Sequence, residues 1–236
     1  LILVNADYPY NEQVNETDLV NVDKSACDVL LERRAVTLLS KLMEEINGWG
    51  QISAVSGWRS MQEQENIYAQ SLKENGSEFT QKYVALPGHS EHQTGLAIDL
   101  ALTSDNIDFI RPDFPYTGIC QTFRELSSQY GFIERYPQKK ESITGIAHEP
   151  WHFRYIGVPH AEIMKKNDLC MEEYIPFIKQ FAYGEQKYNF TVAQKNFSVS
   201  YLPASEAEVV CIEIAEDVSY TISGNNIDGY IITEWR

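Results

Sequence analysis

The stretch Ser90-Glu91-His92-Gln93-Thr94-Gly95-Leu96-Ala97-Ile98-Asp99 sets a histidine seven residues before an aspartate, with mostly small, apolar or flexible residues between. An imidazole and a carboxylate converging on one cavity supply two of the three protein ligands of a typical catalytic zinc site, which keeps a fourth position open. The third ligand should be another histidine with a general base close by, and Glu149-Pro150-Trp151-His152 offers both. A glutamate beside a metal, and not bound to it, can take a proton from water. Attack on an amide also builds negative charge on the carbonyl oxygen, which a fixed cation stabilises. Arg59, in Ser56-Gly57-Trp58-Arg59-Ser60, stands at a strand-to-helix junction where backbone geometry can hold it rigid.

Taken singly, most of these residues have an ordinary explanation. His92 reads as a surface or core histidine, Glu149 as solvated, Trp151 as core and Arg59 as half of a surface ion pair. His89 and His148 read as lying outside the ligand set, and His160, next to Pro159, as structural. Asp99 is harder to dismiss, because an unpaired carboxylate in an apolar strand is costly to bury. Jointly, the His-x6-Asp pair on a small-residue strand and the Glu-x-x-His before another strand point to a metal-assisted hydrolytic site.

The elements that must position these groups follow from periodicity. Apolar residues at helical spacing predict a helix from Ser25 to Asn47, stopped by Gly48. Ile52–Val55 reads as a strand, and Ser60 with Glu63 has capping-box spacing for a helix ending near Gly76. In the strand Gly95–Leu102, Leu96, Ile98, Leu100 and Leu102 share the face that packs on helices. Ala97, Asp99 and Ala101 share the other, so a single carboxylate projects over small neighbours. A helix Gly118–Tyr130 and strands Phe132–Tyr136 and Trp151–Val158 follow. In a regular strand Glu149 and His152 face oppositely, and Pro150 permits the bend that aims both inward. Short helices Pro159–Lys166 and Met171–Phe181, the second disturbed by Pro176, lead to β-type runs at Phe197–Leu202, Val209–Ile214 and Tyr230–Thr233, with Gly224-Asn225-Asn226 as a turn. The fold class expected is α+β: a small antiparallel central sheet flanked by helices and carrying a mononuclear zinc site, with a C-terminal β appendage. The catalytic domain is expected over 1–182 and the appendage over 183–236.

Composition narrows the partners. Nineteen basic residues against 34 acidic ones give a formal charge of −15 over 236 residues, which disfavours nucleic acid and anionic membrane or wall surfaces and suits a small diffusible substrate. No apolar run approaches the roughly 20 residues of a membrane span. Cys27, Cys120, Cys170 and Cys211 form no CxxC pair and are expected as reduced, buried thiols.

The run Ser90-x-His92-x-x-Gly95-x-Ala97-x-Asp99 followed by Glu149-x-x-His152, with Trp58-Arg59-Ser60 upstream, resembles the signature of zinc D-Ala-D-Ala peptidases of the VanX/VanY type. That group is related to the lysostaphin-like and Hedgehog signalling-domain folds. The likeness extends to about Phe181 and is greatest to the VanY and bifunctional VanXY branch, associated with vancomycin resistance. It implies one zinc ion held by His92, Asp99 and His152, with Glu149 as general base and later acid, and Arg59 polarising the scissile carbonyl. It further implies substrate contacts from Gln64, Ser90 and Trp151. The substrates implied are the D-Ala-D-Ala dipeptide and pentapeptide precursors ending in D-Ala-D-Ala. A peptidoglycan L,D-endopeptidase on the same scaffold is the second enzyme reading, with pocket loops 74–88 and 103–117 deciding the bond cut. A non-catalytic, zinc-stabilised wall-binding module is the third, disfavoured because binding zinc requires neither Glu149 nor Arg59. The β appendage is suited to docking a partner or a second protomer of a homo-oligomer. The acidic charge and lack of targeting signals favour the cytoplasm. The first residue is Leu1 rather than Met, so a removed signal or anchor makes an extracytoplasmic location the alternative.

Overall fold

The computed structural model of the chain describes residues 1–23, 28–205 and 211–236. They form two compact units, Val4–Ala161 and a second made of Leu1–Leu3 with Glu162–Arg236. Both are α+β with antiparallel sheets, as expected.

The larger unit opens with β1 (Leu19–Asn21) paired to β2 (Leu30–Glu32), where only irregular chain and the start of a helix were expected. Helix α1 runs from Arg33 to Glu45, so Leu30 and Leu31 belong to a strand, and 25–27 lie outside the described residues. Glu32 sets the boundary: its carboxylate accepts from the backbone N–H groups of Arg34 and Ala35, satisfying donors that a longer helix would have bonded internally. β3 (Ile52–Ser56) leads into α2 (Met61–Tyr83), whose capping box forms as predicted. Ser60 Oγ accepts from Glu63 N–H, and Glu63 Oε2 accepts from Ser60 N–H at 2.7 Å. α2 is broken at Gly76, where φ is 81°, so the first helical run ends where expected and a second continues to Tyr83. β4 (Ala97–Leu102) comes next. α3 (Gly118–Leu126) then tightens into a 3-10 turn, Ser127–Tyr130, and is followed by β5 (Phe132–Tyr136), α4 (Glu141–Thr144), β6 (Glu149–Tyr155) and the first residues of α5 (Val158–Asn167), within which the division between the units falls.

The sheet order is β3-β4-β6-β5. Ile98 and Leu100 of β4 and Phe153 of β6 face a core with Leu39 and Leu42 of α1 and Phe123 of α3. Fully burying each such side chain contributes about 1.5–3 kcal/mol. Phe114, Phe123 and Phe153 meet edge to face at centroid distances of 4.9 to 5.7 Å, locking α3 onto the sheet. The core therefore fixes the sheet from one side and leaves Asp99 and its small neighbours for the other.

The second unit contains α6 (Met171–Ile178), β7 (Tyr188–Val192), β8 (Lys195–Pro203), β9 (Ser219–Gly224) and β10 (Gly229–Trp235), in the order β7-β8-β10-β9. The composition change near 183 marks the approach to this sheet, but the unit reaches back to Glu162. The rings of Phe177 and Phe181 pack edge-on against Tyr188 at 5.2 and 5.1 Å, which binds the end of α6 to β7. The strand expected over Val209–Ile214 is not formed in its described part, 211–214; the strand lies instead at β9, and 209–210 are outside the described residues. Gly224-Asn225-Asn226 does join β9 to β10, with Asn225 Oδ1 accepting from the N–H groups of Ile227, Asp228 and Gly229. Cys120 and Cys170 are buried and free as expected, whereas Cys211 is exposed, on irregular chain, and Cys27 falls outside the described residues. Among the described residues no helix is long and apolar enough to cross a membrane.

Candidate active site

His92 lies on a single 3-10 turn, Glu91–Thr94, closed by Gly95 in the left-handed region at φ 70°. A Cβ there would come 3.0 Å from Leu19 Cδ2, so both conformation and space call for glycine. The His92 ring donates Nδ1–H to the Gly57 carbonyl at 2.7 Å, which leaves Nε2 as the free donor atom, 3.1 Å from Asp99 Oδ2. Gly57 is itself required, because a Cβ would stand 2.2 Å from the Leu30 carbonyl oxygen.

Asp99 is the register partner of His152 across β4 and β6, and Asp99 Oδ1 lies 3.0 Å from His152 Nδ1. The donor atoms of His92, Asp99 and His152 all lie within 4.8 Å of one another and are buried. Tetrahedral zinc takes nitrogen and oxygen donors at about 2.0–2.2 Å, hence about 3.4 Å from each other. Separations of 3.0 and 3.1 Å between the carboxylate and the two imidazoles already approach that spacing, so the donor set fits such an ion. Burial alone would raise the Asp99 carboxyl, yet His92 and His152 hold it well below the usual carboxylate range. Burial lowers His92 to about 4. In His152 the carboxylates of Asp99 and Glu91 outweigh burial and push the ring up to about 9.

Glu149 reaches the same cavity. The β5–β6 register shifts between Glu134 and Tyr136: Glu134 stands opposite Phe153 but Tyr136 opposite Glu149. The extra residues of β6 fall at Pro150, Trp151 and His152, so the bend expected at Pro150 is a bulge that turns Glu149 and His152 to one side. Glu149 Oε2 is 3.8 Å from His152 Nδ1, and burial pushes its carboxyl up to about 8.

Arg59 lines the same cavity. Its Nε donates to Ser56 Oγ at 2.9 Å, Nη2 to Asp99 Oδ2 at 3.1 Å and Nη1 to Gln64 Oε1 at 3.4 Å, and its guanidinium lies 5.5 Å from the Phe109 ring centre. Ser90 and Trp151 line the cavity, as do Tyr83, Val84 and Ala85 from one expected loop and Phe109 and Ile110 from the other. Gln64 does not line it. That residue is wholly buried, with Nε2 donating to the Ala85 carbonyl at 2.8 Å and Oε1 accepting from Arg59 Nη1 at 3.4 Å. His89 and His148 lie outside the donor set, bonded to the Asn5 carbonyl and to Tyr116 respectively.

Alternation sets Arg154 on the strand face that carries His152, but the sequence pattern assigns no role to it, to Glu91 or to Arg135. The three form a buried cluster beside His152. The signal was available: Arg135 and Arg154 stand inside apolar, aromatic strands, where a charge implies a buried counter-charge.

A sheet that gathers a buried His, Asp and His donor set beside a carboxyl and a guanidinium has the groups that a metal-dependent hydrolase uses. The pattern of the VanY family, D-alanyl-D-alanine carboxypeptidase, matches residues 28–158, and the chain belongs to this family. It is 39% identical over 181 residues to the bifunctional D-Ala-D-Ala dipeptidase and D-Ala-D-Ala carboxypeptidase VanXYC of Enterococcus gallinarum, covering 76% of this chain and 95% of that protein. The crystal structure of the vancomycin resistance D,D-dipeptidase VanXYg, in complex with a D-Ala-D-Ala phosphinate analogue, matches with a TM-score of 0.96 and 50% identity over 100% of this chain and 93% of that one. That match takes in the second unit, which the resemblance in motifs did not reach. The D,D-pentapeptidase VanY of a VanB-type resistance cassette, in complex with Zn(II), matches with a TM-score of 0.62 and 30% identity over 74% of this chain and 97% of that one.

Proposed function

We propose that the chain hydrolyses the D-Ala-D-Ala bond of peptidoglycan precursors, both as the free dipeptide and at the end of the pentapeptide, with zinc held by His92, Asp99 and His152. The observation that carries this reading is the placement of Glu149 and Arg59 beside one buried donor set. A module that only bound metal would need neither. Zinc bound there supplies Lewis acidity, polarising a carbonyl and bringing a water pKa toward about 7. Glu149 takes the proton of the attacking water and returns it to the nitrogen of the departing D-alanine, so one C–N bond breaks and one C–O bond forms. Arg59 faces the oxygen on which negative charge grows. Its ties to Ser56 and Gln64 orient it before the reaction, so little reorganisation is left for the chemical step. Phe109, Tyr83 and Trp151 wall the cavity and reduce water around these charges.

The likeness to VanXYC and VanXYg supports a role in vancomycin resistance. The charge of −15 supports action on small precursors in the cytoplasm over action on an anionic wall.

The test is release of D-alanine by the zinc-loaded protein from D-Ala-D-Ala and, separately, from a pentapeptide ending in D-Ala-D-Ala. L-Ala-L-Ala and Glu149→Ala serve as controls. Release from both is expected. Release from one alone names the branch, and release from neither with zinc bound stoichiometrically overturns the reading.

A further inference from the structure

We infer that Glu91 is a positioning residue for the metal site. Its carboxylate, clamped by two buried arginines, holds the His152 ring so that Nε2–H is donated to it and Nδ1 is left as the metal-binding lone pair. The inference rests on the zinc reading above and adds what fixes the third ligand.

Glu91 has one oxygen on each job. Oε1 receives Arg135 Nε at 2.8 Å and faces Arg154 Nη1 at 3.0 Å, while Oε2 lies 3.3 Å from His152 Nε2. The side chains of Glu91, Arg135 and Arg154 are all 0% exposed. Removing three charges from water costs several kcal/mol per ion even after relaxation, and packing alone would be served as well by apolar residues. The location of the cluster shows what it secures instead. Glu91 lies on the turn that carries His92, Arg135 on β5 opposite the β6 bulge, and Arg154 on β6 opposite Ala97. The three charges thus join the turn bearing His92 to β5 and to β6, the strand bearing His152. The Tyr136 ring, under the Arg135 guanidinium at 4.8 Å, packs on the His152 ring at 5.0 Å and blocks its rotation from the side. With His92 the division of labour is the reverse. The Gly57 carbonyl takes Nδ1–H and leaves Nε2 free. Each imidazole therefore presents a different nitrogen, and in each the other nitrogen is anchored by an oxygen acceptor.

The experiment measures zinc affinity of the full chain by competition with a chromophoric chelator, for wild type, Glu91→Gln and Glu91→Leu, with thermal midpoints in parallel. Long-range 1H–15N spectra of the zinc-loaded wild type locate the His152 ring proton. Glu91→Gln keeps an oxygen acceptor and should lose about tenfold in zinc affinity, Glu91→Leu about 100-fold, with the ring proton on Nε2. A merely structural role would lower the thermal midpoint and leave the zinc affinity of the folded protein unchanged. Wild-type affinity in a folded Glu91→Leu, or a His152 proton on Nδ1, overturns the inference. If Glu91→Leu does not fold, Glu91→Gln and the spectrum still decide. A wild type that binds no zinc overturns the underlying metal reading instead.

Discussion

Asp99 and His152 are 53 positions apart in the chain, yet they face each other in the antiparallel register of β4 and β6 with Oδ1 and Nδ1 3.0 Å apart. The same carboxylate meets His92 and Arg59 through its other oxygen, so one side chain joins the metal donors to the cation beside them. Asp99→Asn removes the charge from this junction. Zinc affinity should fall by at least 100-fold, because a neutral amide replaces a charged ligand in a buried site. Zinc content after dialysis against a weak chelator measures this.

Glu149→Gln should leave zinc content unchanged and reduce kcat by about 10²–10⁴-fold, the range associated with a positioned general base. KM should move little. Wild-type turnover would remove Glu149 from the mechanism.

The bracing of Arg59 separates orientation from charge. Arg59→Lys retains a cation but cannot make the three directed contacts to Ser56, Asp99 and Gln64. Loss of a preorganised donor costs about 10²–10³ in kcat. Gln64→Ala leaves the guanidinium in place with its contacts to Ser56 and Asp99 but without the third, so its kcat should fall less, by about tenfold, with the decrease in kcat rather than in substrate affinity. Steady-state kinetics on D-Ala-D-Ala for both variants separates the two contributions.

Gly57→Ala puts a methyl group 2.2 Å from a backbone oxygen of β2, and no side-chain rotation relieves a backbone clash. The β2–β3 approach must open, which also shifts the carbonyl that anchors His92. Destabilisation above about 3 kcal/mol is expected, in the upper tail of single substitutions. Urea midpoints of the metal-free protein, compared with those of Gly224→Ala at an open glycine of ordinary φ, provide the measurement.

Acid stability should follow Glu91. Burial acts to raise its carboxyl, but Arg154, Arg135 and His152 hold it well below the ordinary value of 4.5. A carboxyl depressed in the folded state contributes stability that is complete above its unfolded pKa and is lost as pH falls toward the folded one. The metal-free wild type should therefore weaken progressively below about pH 4.5, and Glu91→Gln, less stable at pH 7, should show a flatter acid limb. Urea midpoints at pH 7, 5, 4 and 3 test this.

Residue type and spacing alone determined the α+β class, the grouping of His92, Asp99 and His152, the capping box at Ser60 and the placement of the Glu149 carboxyl and the Arg59 guanidinium beside that group. These are local matters: alternation along β4 isolates Asp99, and a motif carries its own chemistry in a few consecutive residues. Tertiary structure decided the rest. That the buried Gln64 amide turns its oxygen to Arg59 depends on the Ala85 carbonyl, 21 positions away, which accepts its Nε2–H. Leu30 and Leu31 fit a helical stripe in sequence but form a strand because β1 and the Glu32 cap take them first. Arg135 and Arg154 stand out in the sequence as charges inside apolar strands, but that Glu91 is the counter-charge of both is decided only when the sheet register brings the three together.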